Sequence, residues 1–388
     1  MRVKDLKKKS AKRIDSRFIQ SLGIQSYGCD NLYPQTLHNI IQASATGAEC
    51  VDRYADFIEG NGFLDVAFSE YVVNRRGQTA DDIHNLVCHD LAEYGGFALH
   101  LNYSVDGKIV ELNHVPYENC RMFEEDANGY MPYIAVHEDW TGQKTRGGKR
   151  IQVNNKTIDK IHIFNPNLNV VLSQIDRAGG IDLYKGQIFY FSMAGKNIYP
   201  TGKADRVATE MSTEEGLANV KYRNARCNFL PAGMMITRVA SDYTKGDVPY
   251  SDDSFGESIK SLQGDVNASK IIEVTLEEGD EKPEFVEIAS KNYDKEFTVT
   301  DASVTERIYS AFGQEPWYCI RSGKVGFSGD ILEDAFEYYN SIVSKEKRII
   351  ERAFAAVFSH WYEVANASGD YSVQSLKYVR NAATANNE

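Results

Sequence analysis

The hydrophobic pattern in the C-terminal half of the chain predicts three helices. They cover about residues 212–230, 294–312 and 330–362. The first is indicated by a Ser212 or Thr213 cap, acids in its first turn and a stop at Pro231 and Gly233, and apolar residues recur at helical spacing in the other two. The third helix has one broad apolar stripe, formed by Ile331, Phe336, Tyr339, Ile342, Val343, Ile349, Ile350, Phe354, Val357 and Trp361. Residues 313–329 hold four glycines and one proline, which predict an irregular segment between the last two helices.

The first two hundred residues predict a mixed module of helices and strands. Residues 34–57 have helical spacing with a join near Thr46-Gly47, and residues 81–93 predict a helix closed by Gly95-Gly96. Residues 97–115 alternate between apolar and polar side chains about an Asp-Gly pair, which predicts a β-hairpin. Further strands are predicted at 133–137, 149–153, 160–164 and within 182–192.

The segment between the first two C-terminal helices predicts a small α+β unit. Strands are expected at 234–239, 270–276 and 284–288, with a short helix at 253–263. After Tyr362 the chain becomes polar and alanine-rich, which predicts one short helix and a frayed end.

Three short motifs occur in order along the chain. The first is Gly28-Cys29-Asp30-Asn31-Leu32-Tyr33-Pro34, followed by two helices and Phe57-Ile58-Glu59-Gly60-Asn61-Gly62-Phe63. The second is Asn228-Phe229-Leu230-Pro231-Ala232-Gly233-Met234-Met235-Ile236. The third is Ala311-Phe312-Gly313-Gln314-Glu315-Pro316, followed by Leu332-Glu333-Asp334-Ala335-Phe336. Their order and spacing, over about residues 28–362, resemble bacteriophage portal proteins, with Phe-Leu in the second motif where an Asn-Gly pair is typical.

The resemblance implies an α+β, portal-like fold with a defined order of segments. These are a basic flexible arm (1–27), an α+β wing (28–209), a first stem helix (210–230), an α+β clip (231–292), a second stem helix (293–313), a tunnel loop (314–329), a long wing helix (330–362) and a short C-terminal tail (363–388). Little or no crown is expected after the long helix.

The resemblance also implies a function and a set of partners. Portal subunits form a ring, usually of twelve copies, at one capsid vertex, and double-stranded DNA passes through it during packaging and ejection. The expected partners are the large subunit of the terminase motor, a head–tail adaptor, and the major capsid or scaffold protein. The chain would be assembled in the host cytoplasm and reside in the virion. Because the motor supplies the energy, no catalytic residue, metal or cofactor is expected.

Two sets of residues are expected to face the DNA channel. The tunnel-loop set is Arg321, Ser322, Gly323, Lys324, Val325 and Gly326, and the stem set is Lys221, Arg223 and Arg226. Arg321 and Lys324 would make weak, register-free contacts with phosphates, while the loop glycines allow it to shift. The alternatives are solvation or packing between loops for the loop cations, and pairing with acids of an adjacent subunit for the stem cations.

Composition limits the functional classes. Lys and Arg number 43 against 55 Asp and Glu, so the net charge is −12. Proteins that grip duplex DNA normally present a basic face, so this balance argues against tight DNA binding. It suits a channel in which DNA slides, and equally an ordinary acidic cytosolic enzyme. The six cysteines contain no CxxC pair, which favours reduced thiols in a cytosol. No apolar run is long enough to predict a membrane span, and the basic opening lacks the apolar core of a signal peptide.

Three candidate chemistries are weak. Residues 195–203 end in Gly-Lys but have Ala204 in place of the Ser or Thr that a phosphate-binding loop requires. His84 and Cys88 share a helix face without a second ligand cluster, so no metal site is predicted. Acidic clusters at 124–126, 252–253 and 277–281 are the basis of the alternative hypothesis, a metal-dependent phage nuclease or another α+β phage enzyme. Their turn-like contexts favour solvated surfaces instead.

Overall fold

The structure is a computed structural model that describes residues 16–126, 129–194, 197–227, 233–236, 284–287, 293–326 and 328–378. Its helices are α1 (Tyr33–Ala43), α2 (Ala45–Glu59), α3 (Val66–Ser69), α4 (Ala80–Tyr94), α5 (Leu168–Ala178), α6 (Ala208–Cys227), α7 (Tyr293–Phe312), α8 (Glu315–Arg321) and α9 (Gly329–Phe358). Its strands are β1 (Phe18–Ile19), β2 (Ile24–Gln25), β3 (Gly96–Tyr103), β4 (Ile109–Val115), β5 (Cys120–Met122), β6 (Tyr133–Val136), β7 (Thr145–Arg146), β8 (Lys149–Arg150), β9 (Asp159–Ile163), β10 (Gln187–Ser192), β11 (Gly233–Ile236) and β12 (Glu284–Glu287).

The chain divides into two compact units. One contains Met1–Met211 together with Glu306–Glu388, and the other contains Ser212–Thr305. Mixed helices and strands confirm the α+β fold class. In the second unit, β11 and β12 pair antiparallel, which confirms two of the predicted strands there. The predicted helix at 253–263 and strand at 270–276 lie outside the described residues, as do residues 1–15 of the arm. No helix among the described residues combines the length and apolar character needed to cross a membrane.

A six-stranded sheet organises the first unit. Its order is β4-β3-β10-β9-β6-β5, and β9 and β10 are the parallel pair. Parallel neighbours need a crossover connection, and α5 provides it. The helix α5 was not predicted from the sequence. Asn167 caps its N-terminus, and Val171 and Ile175 lie one turn apart on its buried face. The hairpin of β3 and β4, with Gly107 at positive φ in its turn, is as predicted.

Local capping residues fix the helices that pack beside this sheet. The Ser44 side chain accepts a hydrogen bond from the Gly47 backbone, so α1 and α2 join at Ser44, slightly before the predicted Thr46-Gly47 pair. Thr79 and Asp82 form a reciprocal capping box at the start of α4, and Gly95 ends that helix at a φ of 78°.

The long helix α9 runs for thirty residues, or about 45 Å at 1.5 Å per residue. It ends at Phe358 rather than near residue 362. Tyr339, Val343 and Phe354 are fully buried as the stripe predicted, but Leu332 occupies the buried position near the start instead of Ile331. On this helix Phe354 packs against Phe63 with ring centroids 5.0 Å apart.

The N-terminal segment differs from its prediction. A flexible arm was predicted for residues 1–27, but residues 16–27 are ordered against the rest of the unit. Phe18–Ile19 pairs with Ile24–Gln25, and both Ile24 and Tyr27 are completely buried, so burial of apolar side chains holds this segment in place.

The C-terminal segment also differs. The predicted short helix is wrong for residues 363–378, which are irregular. The Leu64 backbone N–H donates to Ser372, the Asn61 N–H donates to Gln374, and the Gln374 N–H donates to Gly62. These bonds satisfy the backbone polar groups that a helix would otherwise pair internally.

Arg121 is a buried cation that ties the N-terminal turn to the sheet. Its side chain is completely buried on β5. Nε donates to the Asn31 side-chain oxygen at 2.6 Å, Nη2 to the Asn31 carbonyl at 2.7 Å, and Nη1 to the carbonyls of Glu118 and Cys120 at 2.7 and 2.8 Å. The guanidinium also lies over the rings of Tyr27 and Trp140. Burial lowers the pKa of Arg121, and these oxygens and rings compensate the lost hydration.

Asn31 explains why the first motif has this sequence. Its φ is 65°, the left-handed region that asparagine tolerates better than most residues. Besides binding Arg121, its side-chain oxygen accepts from the Tyr27 backbone at 3.0 Å. Tyr27 in turn stacks on Tyr199 at 4.1 Å between ring centroids, and its hydroxyl donates to the Pro200 carbonyl. The turn is therefore a structural junction.

We expect Asn31→Gly to lower the free energy of unfolding by about 3 kcal/mol, because Arg121 loses a partner while remaining buried. Asn31→Ala should cost about 1 kcal/mol more, because alanine resists a positive φ that glycine accepts. Chemical denaturation of both variants measures the two contributions. If the alanine and glycine variants are equally stable, the cost assigned to the positive φ is wrong. If the glycine variant is as stable as the wild-type protein, the role assigned to the Asn31–Arg121 contact is wrong.

Candidate functional site

The junction between α7 and α8 is built from the Ala-Phe-Gly motif. Phe312 is buried at the end of α7, and Gly313 stops the helix at a φ of 71°. The Gln314 backbone N–H donates back to the Tyr309 carbonyl at 2.9 Å. Pro316 occupies the first turn of α8, where its missing N–H costs no intrahelical bond. The motif therefore ends one helix and begins the next within three residues.

Gln314 holds this junction in position, and sequence reasoning missed it. Its side chain is completely buried. Its amide nitrogen donates to the Cys50 carbonyl on α2 and to the Tyr339 hydroxyl on α9, both at 2.8 Å. Its amide oxygen accepts from Arg53 at 3.0 Å. Gln314 is at a position that the motif leaves unspecified. The one sequence signal for it is its place directly after the glycine that ends α7.

Trp317 fixes the first turn of α8 to the same helices. Its ring lies 5.5 Å from Phe57 and 5.1 Å from Tyr339, in both cases edge to face. The Arg53 guanidinium lies 5.6 Å from the Trp317 ring centroid. The beginning of α8 is thus anchored on α2 and α9, while its far end is exposed.

The prediction of an irregular segment at residues 313–329 is wrong for its first half. Residues 315–321 form the helix α8, because Pro316 and the spacing of Trp317 and Ile320 suit a helical turn. Beyond it, the backbone N–H groups of Lys324 and Val325 donate to the Cys319 carbonyl, and Gly323 has a φ of 70°. The six predicted tunnel-loop residues, Arg321, Ser322, Gly323, Lys324, Val325 and Gly326, therefore follow one another along the end of α8 and its closing turn, and all are exposed.

The two cations of this segment contact α7. Arg321 donates from Nη1 to the Tyr309 hydroxyl at 3.2 Å. Lys324 Nζ lies 3.9 Å from a Glu306 carboxylate oxygen and 4.7 Å from the Tyr318 ring centroid. Both members of the Lys324–Glu306 pair are more than half exposed. An exposed pair of this kind contributes little to stability, so either partner can exchange it for another ion.

The predicted stem residues lie on α6. Lys221 forms an ion pair with Asp301 on α7 at 2.7 Å, with both side chains partly exposed. Within the Ser212–Thr305 unit, the Tyr222 and Val299 side chains are also exposed, at 59% and 70%. Arg223 and Arg226 lie on the last two turns of α6, and their side chains are outside the described part of the structure. The structure thus brings Lys221 together with an acid of its own chain.

Residues of two weak candidate sites, Lys203 of the phosphate-binding loop and the pair His84 and Cys88, pack against neighbouring side chains or are buried. Lys203 lies with Nζ 3.6 Å from the Tyr54 ring centroid, and burial lowers its pKa to about 8. His84 is completely buried and packs on Phe63 with ring centroids 4.7 Å apart, and Cys88 is buried one turn later. Within the described ranges no group of three or more His, Cys, Asp or Glu residues is arranged to hold a metal ion.

We expect Gln314→Leu to lower the free energy of unfolding by about 2–4 kcal/mol, because it leaves the Cys50 carbonyl, the Tyr339 hydroxyl and Arg53 without this partner in a buried place. Thermal and chemical denaturation measure the loss. Gln143→Leu, at an exposed position, is the matched control and should change stability by less than about 0.5 kcal/mol. Equal effects of the two substitutions would refute the anchoring role of Gln314.

No protein-family model and no curated protein matches this sequence. Among solved structures, a chain in the neck of an empty gene transfer agent particle matches with a TM-score of 0.52 and 13% identity, over 88% of this chain and 84% of that one. The neck of the native particle matches with a TM-score of 0.48 and 14% identity, over 85% and 82% of the two chains. An HK97-family phage portal protein from Corynebacterium diphtheriae matches with a TM-score of 0.39 and 12% identity, over 70% and 75%.

The first of these matches establishes a likeness of fold that extends over most of both chains. The chain therefore has the fold of a protein from the neck of a gene transfer agent particle.

Proposed function

We propose that this chain is a portal subunit, which forms a ring at one capsid vertex and conducts double-stranded DNA during packaging and ejection. The observation that carries the proposal is the fold shared with a neck chain over 88% of the present chain. The order of the three sequence motifs supports it independently, because that order is a property of the sequence alone. The neck of that particle was computed with sixfold symmetry, which rings of six or twelve copies satisfy. Twelve is the number we propose here.

A ring of this kind depends on heterologous contacts that close on themselves. One face of each subunit meets a different face of the next, and the rotation per copy must divide a full turn. The exposed Tyr222 and Val299 on α6 and α7 are apolar surface suited to such contacts. The Lys221–Asp301 ion pair already satisfies one stem cation within its own chain. Lys221 therefore contributes to holding the two helices, with a phosphate contact as its secondary role.

Arg321 and Lys324 are the proposed DNA-contacting residues. Lys324 is held weakly by an exposed carboxylate, and Arg321 donates to the Tyr309 hydroxyl. A cation that exchanges easily between Glu306 and a passing phosphate lowers the barrier to movement without binding one register. The closing turn at Gly323 and Gly326 has open space around it, so it can shift with the DNA.

The partners follow from the same proposal. The Ser212–Thr305 unit would bind the large terminase subunit and later the head–tail adaptor, and the other unit would contact the major capsid or scaffold protein. In this proposal the protein performs no chemistry of its own, since the motor supplies the energy. Its place is the virion, after assembly in the host cytoplasm.

We expect the purified protein to form rings with a central hole and about twelve times the 43.6 kDa mass of one chain. Light scattering measures the mass, and negative-stain imaging shows the hole. Assembly is tested both alone and with a co-expressed scaffold protein. A protein that stays monomeric or dimeric under both conditions and cuts DNA with Mg²⁺ would refute the proposal and favour the nuclease alternative.

We expect Arg321→Glu combined with Lys324→Glu to weaken binding of the ring to a short DNA duplex on the order of tenfold at low salt, and to flatten its dependence on salt. Fluorescence anisotropy over a salt series measures both. The matched control reverses two exposed lysines elsewhere, Lys108→Glu with Lys156→Glu, and should change affinity less than about twofold. A control as damaging as the test variant would mean that net charge, rather than this segment, governs contact with DNA.

A further inference from the structure

A cleft of about 490 Å³ lies beside the N-terminal hairpin. Its apolar surface comes from Leu22, Phe123, Pro132, Tyr133 and Ile158. Leu22 and Phe123 pack below it on the small core cluster formed around Ile24, Ala135, Trp140 and Ile158. The cleft therefore has a firm apolar base, far along the chain from the segment proposed to contact DNA.

The rim of the cleft is acidic on one side. Glu124, Glu125 and Asp126 line it and are exposed. Glu124 and Glu125 form no ion pair with any part of the chain that the structure describes. On the other side Lys160 lies over the rings of Tyr133 and Phe123, with Nζ 3.9 and 5.0 Å from their centroids. An occupant of this cleft should combine several cations with a few apolar side chains.

Residues 1–15 have this composition. The sequence MRVKDLKKKSAKRID contains seven Lys and Arg residues and two Asp residues, with Met1, Val3, Leu6 and Ile14 as its larger apolar side chains. This segment leads directly into β1, and Gln20, Leu22 and Gly23 of the following turn already line the cleft. Fifteen residues can extend up to about 50 Å, so the segment can reach every part of the rim.

We propose that the N-terminal segment 1–15 of each chain docks in this cleft of the same chain, with its lysines against Glu124, Glu125 and Asp126 and its apolar side chains on Leu22 and Phe123. Direct connection to β1 favours the chain's own segment over that of a second copy, because a short tether gives a high effective concentration. The docked segment neutralises an acidic patch in a chain of net charge −12. The inference does not depend on the portal proposal.

Zero-length carbodiimide coupling of the full-length protein tests the contact. The reagent joins a lysine amine to a carboxylate, and mass spectrometry of the digest should find Lys7, Lys8 or Lys9 joined to Glu124, Glu125 or Asp126. Mixing ¹⁵N-labelled and unlabelled chains before assembly identifies the source, and own-chain docking predicts links within one label only. Links between labels would overturn the assignment in favour of a second copy, and an absence of links to these three acids would overturn the docking itself.

A second readout does not require the acids to react. Glu124→Gln with Glu125→Gln should raise the rate of tryptic cleavage within residues 1–15 about fivefold, as expected for the loss of two exposed ion pairs. The matched control, Glu70→Gln with Asp106→Asn, removes two exposed acids elsewhere and should leave the rate unchanged. Unchanged melting temperature of both variants shows that folding is intact. Equal cleavage rates in the two variants would overturn the proposal.

Discussion

The buried Arg121 guanidinium is the constraint on which the larger unit depends. A cation removed from water must find its compensation within the protein, and here it comes from carbonyl oxygens and aromatic faces rather than a carboxylate. Each of those groups has to be placed by backbone that is itself fixed. The left-handed Asn31, the turn before β5 and the Tyr27 ring are therefore determined together. The first sequence motif is best understood as the consequence of this one requirement.

A similar requirement operates at Gln314, in the same unit. Gln314 follows α7 directly and joins it to α9 and to α2, which lies more than two hundred residues earlier in the sequence. Buried amides of this kind specify one arrangement because every alternative leaves donors or acceptors without partners. The exposed end of α8 is thus carried on a rigid base. Rigid support beneath a short exposed turn suits a segment that is proposed to touch a moving polymer without gripping it.

Much of this fold could be predicted from the sequence, and the reasons for the failures are specific. The helices α4 and α9 have strong periodicity and clear N-caps, α7 has apolar residues at helical spacing, and the hairpin of β3 and β4 has a glycine turn. The crossover helix α5 was missed because only two of its residues are buried and the apolar signal is short. The helix α8 was missed because glycines on both sides drew attention to flexibility, whereas Trp317 packs it on distant helices.

The candidate site was less predictable than the fold. Sequence patterns located the cations Arg321 and Lys324, yet their contacts with Tyr309 and Glu306 depend on how α8 follows α7. Arg121 and Gln314 could not have been found, because a buried polar residue looks in sequence like any exposed one. Their partners are backbone carbonyls and side chains up to about 260 residues away, as in the Gln314–Cys50 contact.

The pairing of residues 372–374 with residues 61–64 has a consequence for how the protein is made. The larger unit is discontinuous: its first part is synthesised before the Ser212–Thr305 unit, and its second part after it. Phe63 on one side of this gap packs on Phe354 on the other. A growing chain therefore exposes the apolar face that awaits α9 until that helix has left the ribosome. The core of the larger unit closes only then, so premature termination between α7 and the end of α9 yields a product with an open core, a target for chaperones and proteases.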